Sequence, residues 1–232
     1  MLPDHFYSAN RLLAALPEVE YLRLKPYLIS TSVASKIVLY EPLDKIETVY
    51  FPNTSLISLV NTLKNGAITE VSLVGSTGMI GLSAILDNGI IKNRAVVRVP
   101  GNTMKISAEI LKQEFGRGGE LQNILLRYTQ TRLDEITQLA ICNAHHIIEQ
   151  RLAYWLLKTS DLMQSDNLPL TQEFLSHMLG VRRSGVTLAA QTLQREGIIN
   201  YHWGKIKILD REALENISCE CYKIFRDNFY SE

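Results

Sequence analysis

The chain has 232 residues, 46% of them hydrophobic and 21% charged, and its 24 Lys and Arg balance 24 Asp and Glu to a formal net charge of zero. That is the composition of an ordinary soluble protein of one large or two modest domains, without the global basic excess of many nucleic-acid binders. No basic-then-apolar signal opens the chain and no apolar run is long enough to span a bilayer, so a cytoplasmic place and no membrane partner are expected.

From residue 8 to 29 the apolar residues Leu12, Leu13, Leu16, Tyr21, Leu22, Leu24 and Leu28 fall at helical spacing, with Pro17 starting a second short helix and Pro26 interrupting its end. From Ser32 the period changes to two. KIVLY, TVYF, SLISLVNTL, AITEVSLV and NRAVVRV are short β-branched runs bounded by turn residues, and TMKIS follows the turn Pro100-Gly101-Asn102. Asn65-Gly66 predicts a type I′ hairpin, which needs positive φ twice. This spacing suggests an antiparallel barrel or roll.

Ser107 can cap a short helix to about Phe115, broken by Gly116-Arg117-Gly118-Gly119. A long helix is predicted from about Glu120 to Ala144, with two apolar stripes at near-heptad spacing. One holds Leu126, Leu133, Ile136, Ala140 and Ile147; the other holds Leu121, Leu125, Tyr128, Leu139 and Cys142. A helix apolar on two sides packs against two things, here its own roll and a partner chain. Asn143–His146 is the expected joint. His145 and His146, about 100° apart on a helix, cannot both ligate one ion and read as structural or hinge residues.

The most informative stretch is Leu170–Asp210. Thr171 is a candidate N-cap with Glu173 in the first turn. Phe174, Leu175, Met178 and Leu179 make a helical face, and Gly180 supplies a sharp turn. Val186, Ala189, Ala190 and Leu193 form the inward face of a second helix, which Gly197 closes. This reads as a helix-turn-helix, with small Ser176 where two helices cross closely. Beyond it, IINY and KIKIL flank Gly204 as a two-stranded wing. Between His177 and Arg211 stand six Lys and Arg against two acids, Glu196 and Asp210, a local basic patch of the kind a phosphate backbone needs.

These residues resemble the C-terminal DNA-binding domain of the Crp/Fnr transcription regulators. QRLAYWLL (Gln150–Leu157) resembles the family's hinge-following helix, and LTQEFLSHMLGVRRSGVT its DNA-reading unit. The resemblance implies an α+β fold: an N-terminal antiparallel β-roll like that of cyclic-nucleotide-binding domains, a long dimerisation helix and a C-terminal winged helix-turn-helix. The expected domains are residues 1–118, 119–146 and 147–232. It also implies a homodimer on double-stranded DNA, with RNA polymerase as a further candidate partner and no catalytic residue. No G-x-S-x-G, Walker or H-E-x-x-H motif argues otherwise.

On the DNA side the resemblance assigns Thr171 and Gln172 to phosphates. It puts Arg182, Arg183, Ser184, Thr187, Leu188 and Gln191 on the base-facing side, and His202, Lys205 and Lys207 on the wing. Arg183 matches the family's guanine-reading Arg. Ser184 and Leu188 replace the Glu and second Arg of the cyclic-AMP-responsive members, so their target sequence is not expected. GSTGMIGLSAIL…NRAVVRV resembles the phosphate-binding cassette, giving Gly78, Met79, Gly81, Leu82, Arg94 and Ala95, with Tyr128 of the long helix, as an effector pocket. Met79 stands where that cassette carries the Glu that takes the ribose hydroxyl, and a thioether is a poor acceptor. Cyclic AMP is therefore not the expected effector. An unidentified small molecule is one alternative; a cyclic-nucleotide-responsive regulator and a constitutive binder whose roll is only a scaffold are the others.

Iron–sulfur members of the family carry N-terminal cysteines, and none is present. Cys142, Cys219 and Cys221 are an odd, sparse set. Cys219-Glu220-Cys221 reads as a redox pair, half a metal site or inert thiols; with no companion pair nearby in sequence, inert thiols and no metal are the expectation.

Overall fold

The computed structural model describes residues 8–230. They form two units, one running up to Val60 and over Ser72–Arg132, the other made of Asn61–Val71 and the chain from Leu133 onward. Among the described residues no helix is long and apolar enough to cross a membrane.

In the first unit, α1 (Arg11–Ala14) starts at Asn10, whose buried side chain does two jobs. Its Oδ1 accepts from the amides of Leu12 and Leu13, and its Nδ2 donates to the carbonyls of Pro52 and Gly78 at 2.8 and 2.9 Å. A helix cap thus also ties the N-terminal segment to the roll. α2 (Glu18–Leu24) begins after Pro17 and tightens into a 3₁₀ turn at Lys25–Tyr27, as the Pro26 break predicts.

Seven strands follow: β1 (Ile29–Val33), β2 (Val38–Tyr40), β3 (Thr48–Pro52), β4 (Leu56–Thr62), β5 (Ile68–Val74), β6 (Arg94–Val99) and β7 (Gly101–Ser107). They form two sheets, β1-β7-β3 and β2-β6-β4-β5. β7 runs antiparallel to β1 and β3, and β6 to β2 and β4. Alternate residues Val49, Phe51, Ile57, Ala95, Val97 and Ile106 point into a common core with Leu12, Leu13 and Leu24. α3 (Ser83–Leu86) sits between β5 and β6, and α4 (Ala108–Gly116) follows β7.

The Asn65-Gly66 turn departs from expectation. Gly66 takes positive φ (83°) but Asn65 does not. Leu63 exchanges bonds with Gly66 and Ala67, giving a three-residue loop closed by a left-handed Gly. The Asn65 Oδ1 accepts from the Ala67 amide at 3.0 Å, a local bond that stabilises this alternative.

α5 (Glu120–His145) is the predicted long helix. Its first amides, Glu120 and Leu121, donate to the Glu20 carboxylate at 3.0 and 2.7 Å, so a residue a hundred positions away caps it.

The second unit is built on α6 (Ile148–Met163), in which residues 151 to 162 are all buried. Around it lie α7 (Gln172–Leu179), α8 (Arg183–Arg195), α9 (Arg211–Ile217), α10 (Cys221–Tyr230) and a sheet. That sheet has three strands rather than the expected two, in the order β8 (Asn167–Leu168), β10 (Lys205–Ile208), β9 (Ile199–His202). Asp161 of α6 is buried and meets Arg211 at 2.6 Å and the Tyr222 hydroxyl at 2.9 Å, fastening α9 and α10 to the central helix. Arg211 also donates to the Tyr222 hydroxyl at 2.7 Å, and burial beside Asp161 pushes the Tyr222 phenol above its ordinary pKa.

Candidate nucleic-acid interface

Thr171 caps α7 as predicted, its Oγ1 accepting from the Phe174 amide at 3.2 Å. Gly180 closes the helix with a φ of 63°, and its amide bonds back to the Ser176 carbonyl. α8 then starts at Arg183. Arg182 is its extended N-cap residue, one step outside the helix. Val186, Ala189, Ala190 and Leu193 are buried against the rest of the unit, and α8 presents Arg183, Ser184, Leu188 and Gln191 to solvent with Thr187 half-buried. Arg182 and Thr171 are also exposed, and Gln172 is half-buried.

On the wing, Ile206 and Ile208 point inward while Lys205 and Lys207 point out, the alternation of a half-buried strand. His202 is exposed as well. Trp203 and Gly204 turn the hairpin with φ of 48° and 75°, so the twofold positive φ predicted at Asn65-Gly66 occurs here instead. A Cβ on Gly204 would lie 3.3 Å from Thr171 Cγ2, so the wing turn sits closely on the start of α7. Sequence reasoning gave Trp203 no role, yet it is 89% exposed at the wing tip beside His202. A bulky aromatic inside a two-residue hairpin turn is the signal that could have drawn attention to it.

Residues 150–217 match the Crp-like helix-turn-helix domain. Over most of its length the chain shares its fold with solved regulators of the Crp/Fnr family. FixK2 of Bradyrhizobium japonicum superposes with a TM-score of 0.71 at 16% identity, covering 83% of this chain and 98% of that one. A Crp/Fnr-family regulator of Thermus thermophilus gives 0.70 at 21% identity, covering 82% and 98%. The c-di-GMP-responsive global regulator CLP of Xanthomonas campestris gives 0.69 at 15%, covering 83% and 99%. Comparison with curated proteins yields no match.

In the Crp-like domain Arg183 does not project freely. It pairs with Glu173 at 2.6 Å, both side chains remaining mostly exposed (63% and 60%). A pair so open to water adds little stability and separates easily.

The residues expected around an effector are packed differently from one another. Met79 is buried in the roll's core, 2% exposed, not directed to solvent. The Tyr128 hydroxyl reaches its backbone amide and carbonyl, both at 3.2 Å. A Cβ on Gly78 would meet that hydroxyl at 2.7 Å, so Gly is what lets the helix approach. Gly81, at φ 105°, packs on Ile46 and Val49; Leu82 is partly buried against the core, and Ala95 is wholly buried. Arg94 turns to Glu41, 2.9 Å away. The cassette residues therefore include two core side chains, Met79 and Ala95, and one ion-paired cation.

α5 separates its stripes. Leu121, Leu125, Tyr128 and Cys142 are buried and Leu139 is half-buried, whereas Leu126, Leu133, Ile136 and Ala140 are exposed; Ile147, expected on the same stripe, lies past the end of α5 as the extended N-cap residue of α6.

The cysteines, far apart in sequence, lie together in the structure. Cys142 Sγ and Cys219 Sγ stand 3.7 Å apart, and Cys221 Sγ lies 3.6 Å from His146 Nδ1. His145 is exposed and takes no part in this group. Donation from Cys142 holds the Cys219 thiol below its ordinary pKa, while that bond and burial push Cys142 up. Sequence reasoning missed the cluster because 77 positions separate Cys142 from Cys219. The spacing Cys142-x-x-x-His146, one turn of helix, was the available half-signal.

Proposed function

We propose that this chain is a sequence-specific DNA-binding transcription regulator that acts as a homodimer on an inverted-repeat operator. The observation that carries the reading is the outer face of α8, with Arg183, Ser184, Leu188 and Gln191 open to solvent and Thr187 half-buried among them, in a segment that matches the Crp-like helix-turn-helix domain. Such a helix enters the major groove, while Thr171, Gln172 and Arg182 at the helix starts, and His202, Lys205 and Lys207 on the wing, meet the backbone. Arg183 would leave Glu173 for guanine O6 and N7. The exposed stripe Leu126, Leu133, Ile136 and Ala140 supports dimerisation through α5, since an apolar row at near-heptad spacing seeks a partner. Double-stranded DNA and a second copy are the partners; RNA polymerase is the further one for an activator.

Control by cyclic AMP is not part of the reading. The buried Met79 and the Arg94–Glu41 pair support a cassette that no longer takes a ribose and a cyclic phosphate. The same packing favours a second reading, a constitutive DNA binder whose roll is a dimer scaffold. A different small-molecule effector acting through Gly78, Met79, Gly81, Leu82, Arg94, Ala95 and Tyr128 is the alternative to it.

Selection of bound sequences from random DNA tests the main reading. An enriched motif with dyad symmetry and half-sites about 34 Å apart is expected; enrichment without symmetry overturns the dimer geometry, and no enrichment overturns sequence-specific binding. Adding cell extract to the purified full-length chain separates the two accounts of the roll. Unchanged operator affinity supports the scaffold.

A further inference from the structure

Away from the DNA-facing surface, four ligand-type side chains meet at one point within the second unit. Cys142 and His146 are one helical turn apart at the end of α5, and the His146 amide still bonds to the Cys142 carbonyl at 3.1 Å, so both lie on one face. Cys219 and Cys221 stand between the end of α9 and the first turn of α10. Three sulfurs and one imidazole nitrogen from these residues all lie within 4.8 Å of one another.

We infer that Cys142, His146, Cys219 and Cys221 form a structural binding site for one tetrahedral Zn²⁺. With Zn–S of about 2.3 Å and Zn–N of about 2.0–2.1 Å, tetrahedral geometry sets two thiolates about 3.8 Å apart and a thiolate and imidazole nitrogen about 3.6 Å apart. The Cys142–Cys219 and Cys221–His146 separations of 3.7 and 3.6 Å match both values. A polynuclear iron–sulfur cluster interposes several atoms between its thiolates and needs them farther apart. Three thiols also cannot pair off as disulfides without leaving one over.

The surroundings agree. His146 turns Nδ1 toward Cys221 and Nε2 toward the Glu220 carboxylate, 3.2 Å away. This is the arrangement in which a carboxylate orients a metal-bound imidazole and fixes its tautomer. Gln138 Nε2 donates to Cys221 Sγ at 3.0 Å, a bond that suits a thiolate. Binding would release three thiol protons to solvent and leave the site with one net negative charge. The buried Arg151, close enough to feel Cys142 and Cys219, is the countercharge. Four protein ligands close the coordination sphere, so the role is structural rather than catalytic. The ion would clamp the last turn of α5 to the start of α10.

Metal content of the full-length chain, purified with thiols reduced and without chelator, tests the site independently of DNA binding. One Zn²⁺ per chain is expected, and Co²⁺ exchanged into it should give the visible bands and intense near-ultraviolet sulfur charge transfer of a tetrahedral thiolate site. A chain without metal that also fails to bind added Zn²⁺ or Co²⁺ at micromolar concentration overturns the inference, as does an octahedral Co²⁺ spectrum. Cys219→Ser and Cys221→Ser should each lower the cobalt charge-transfer intensity, which scales with the number of thiolates, and weaken metal binding. Because those variants could unfold, Glu220→Gln provides the milder arm: it should keep the tetrahedral spectrum and weaken metal affinity about 10–100-fold in competition with a chromogenic chelator. Unchanged affinity in Glu220→Gln would overturn the assigned role of Glu220. A cobalt spectrum unchanged in a folded Cys219→Ser chain would overturn the ligand set.

Discussion

The Tyr128 hydroxyl satisfies both polar groups of the Met79 backbone, accepting from its amide and donating to its carbonyl at 3.2 Å each. Met79 lies in the segment that resembles a nucleotide-binding cassette, and Tyr128 lies on the buried stripe of α5. One phenol therefore joins the cassette to the long helix inside the first unit. Tyr128→Phe removes it and strands two buried backbone groups, at a cost of about 1–3 kcal/mol. A lower urea midpoint with an unchanged m-value is the expected measurement. A midpoint equal to the parent's would mean that water replaces the hydroxyl.

Met79→Glu restores the residue type that the resembling cassettes use for a ribose hydroxyl. Because Met79 is buried in the roll's apolar core, the carboxylate is placed among apolar side chains. The variant is expected to lose about 3–5 kcal/mol of stability and to gain no cyclic-AMP binding. Calorimetric titration of cyclic AMP, with thermal unfolding alongside, reads both outcomes. Micromolar binding by a stable Met79→Glu chain would show that the position faces a pocket after all.

What the sequence reveals depends on how local the physics is. Caps and left-handed glycines act over four or five residues, which is why Thr171 and Gly180 can be placed in advance. The stripes of α5 are legible for the same reason, although which one stays exposed is not, because burial depends on what the fold brings against each face. β1 escapes notice because its sequence ISTSV is polar and mostly exposed, with Val33 alone buried. The Asn65-Gly66 turn is misjudged because an Asn side-chain bond competes with the backbone pattern that its dipeptide suggests. Least legible is the meeting of Cys142 and His146 with Cys219 and Cys221, which needs α6 through α9 folded between them.

Asp161 is buried and serves two partners, Arg211 and Tyr222; its removal takes one bond from each, while Arg211 keeps Glu215 and the Tyr222 hydroxyl. Arg211 keeps about a third of its side chain in water, and solvent can recover part of its solvation. Asp161→Ala should therefore cost about 1–3 kcal/mol, less than a fully enclosed pair. Tyr222→Phe loses the hydroxyl's bonds to Asp161 and from Arg211 but leaves the Asp161–Arg211 ion pair, and should cost less. Chemical denaturation of the two single variants and the double variant measures the coupling; additive losses would mean that the three groups act independently.

Leu133 and Ile136 are 55% and 46% exposed on α5, so charged replacements there disturb no core. Leu133→Glu with Ile136→Glu is expected to leave the helical circular-dichroism signal intact and to shift the chain from dimer to monomer in sedimentation. DNA affinity should fall with it, because each half-site then binds alone. A variant that sediments like the parent would place the seam elsewhere.

Arg183 and Glu173 supply the sharpest test of how DNA is read. Their 2.6 Å pair is exposed at both ends, so breaking it should move the melting temperature little. Arg183→Ala is expected to cost about 1–3 kcal/mol at one base position per half-site and to relax specificity there, as loss of a bidentate guanine contact does. Lys205→Ala should instead weaken all sequences alike and reduce the salt slope by about one. Glu173→Gln separates the intramolecular partner from the base: it frees the guanidinium without removing it, and so should tighten binding to the operator more than to random DNA. Binding isotherms on the selected operator, on single-base variants and on random DNA, at two salt concentrations, distinguish these outcomes. If Arg183→Ala loses equally on all of them, Arg183 contacts phosphate, and specificity must come from its neighbours Ser184, Thr187 and Gln191.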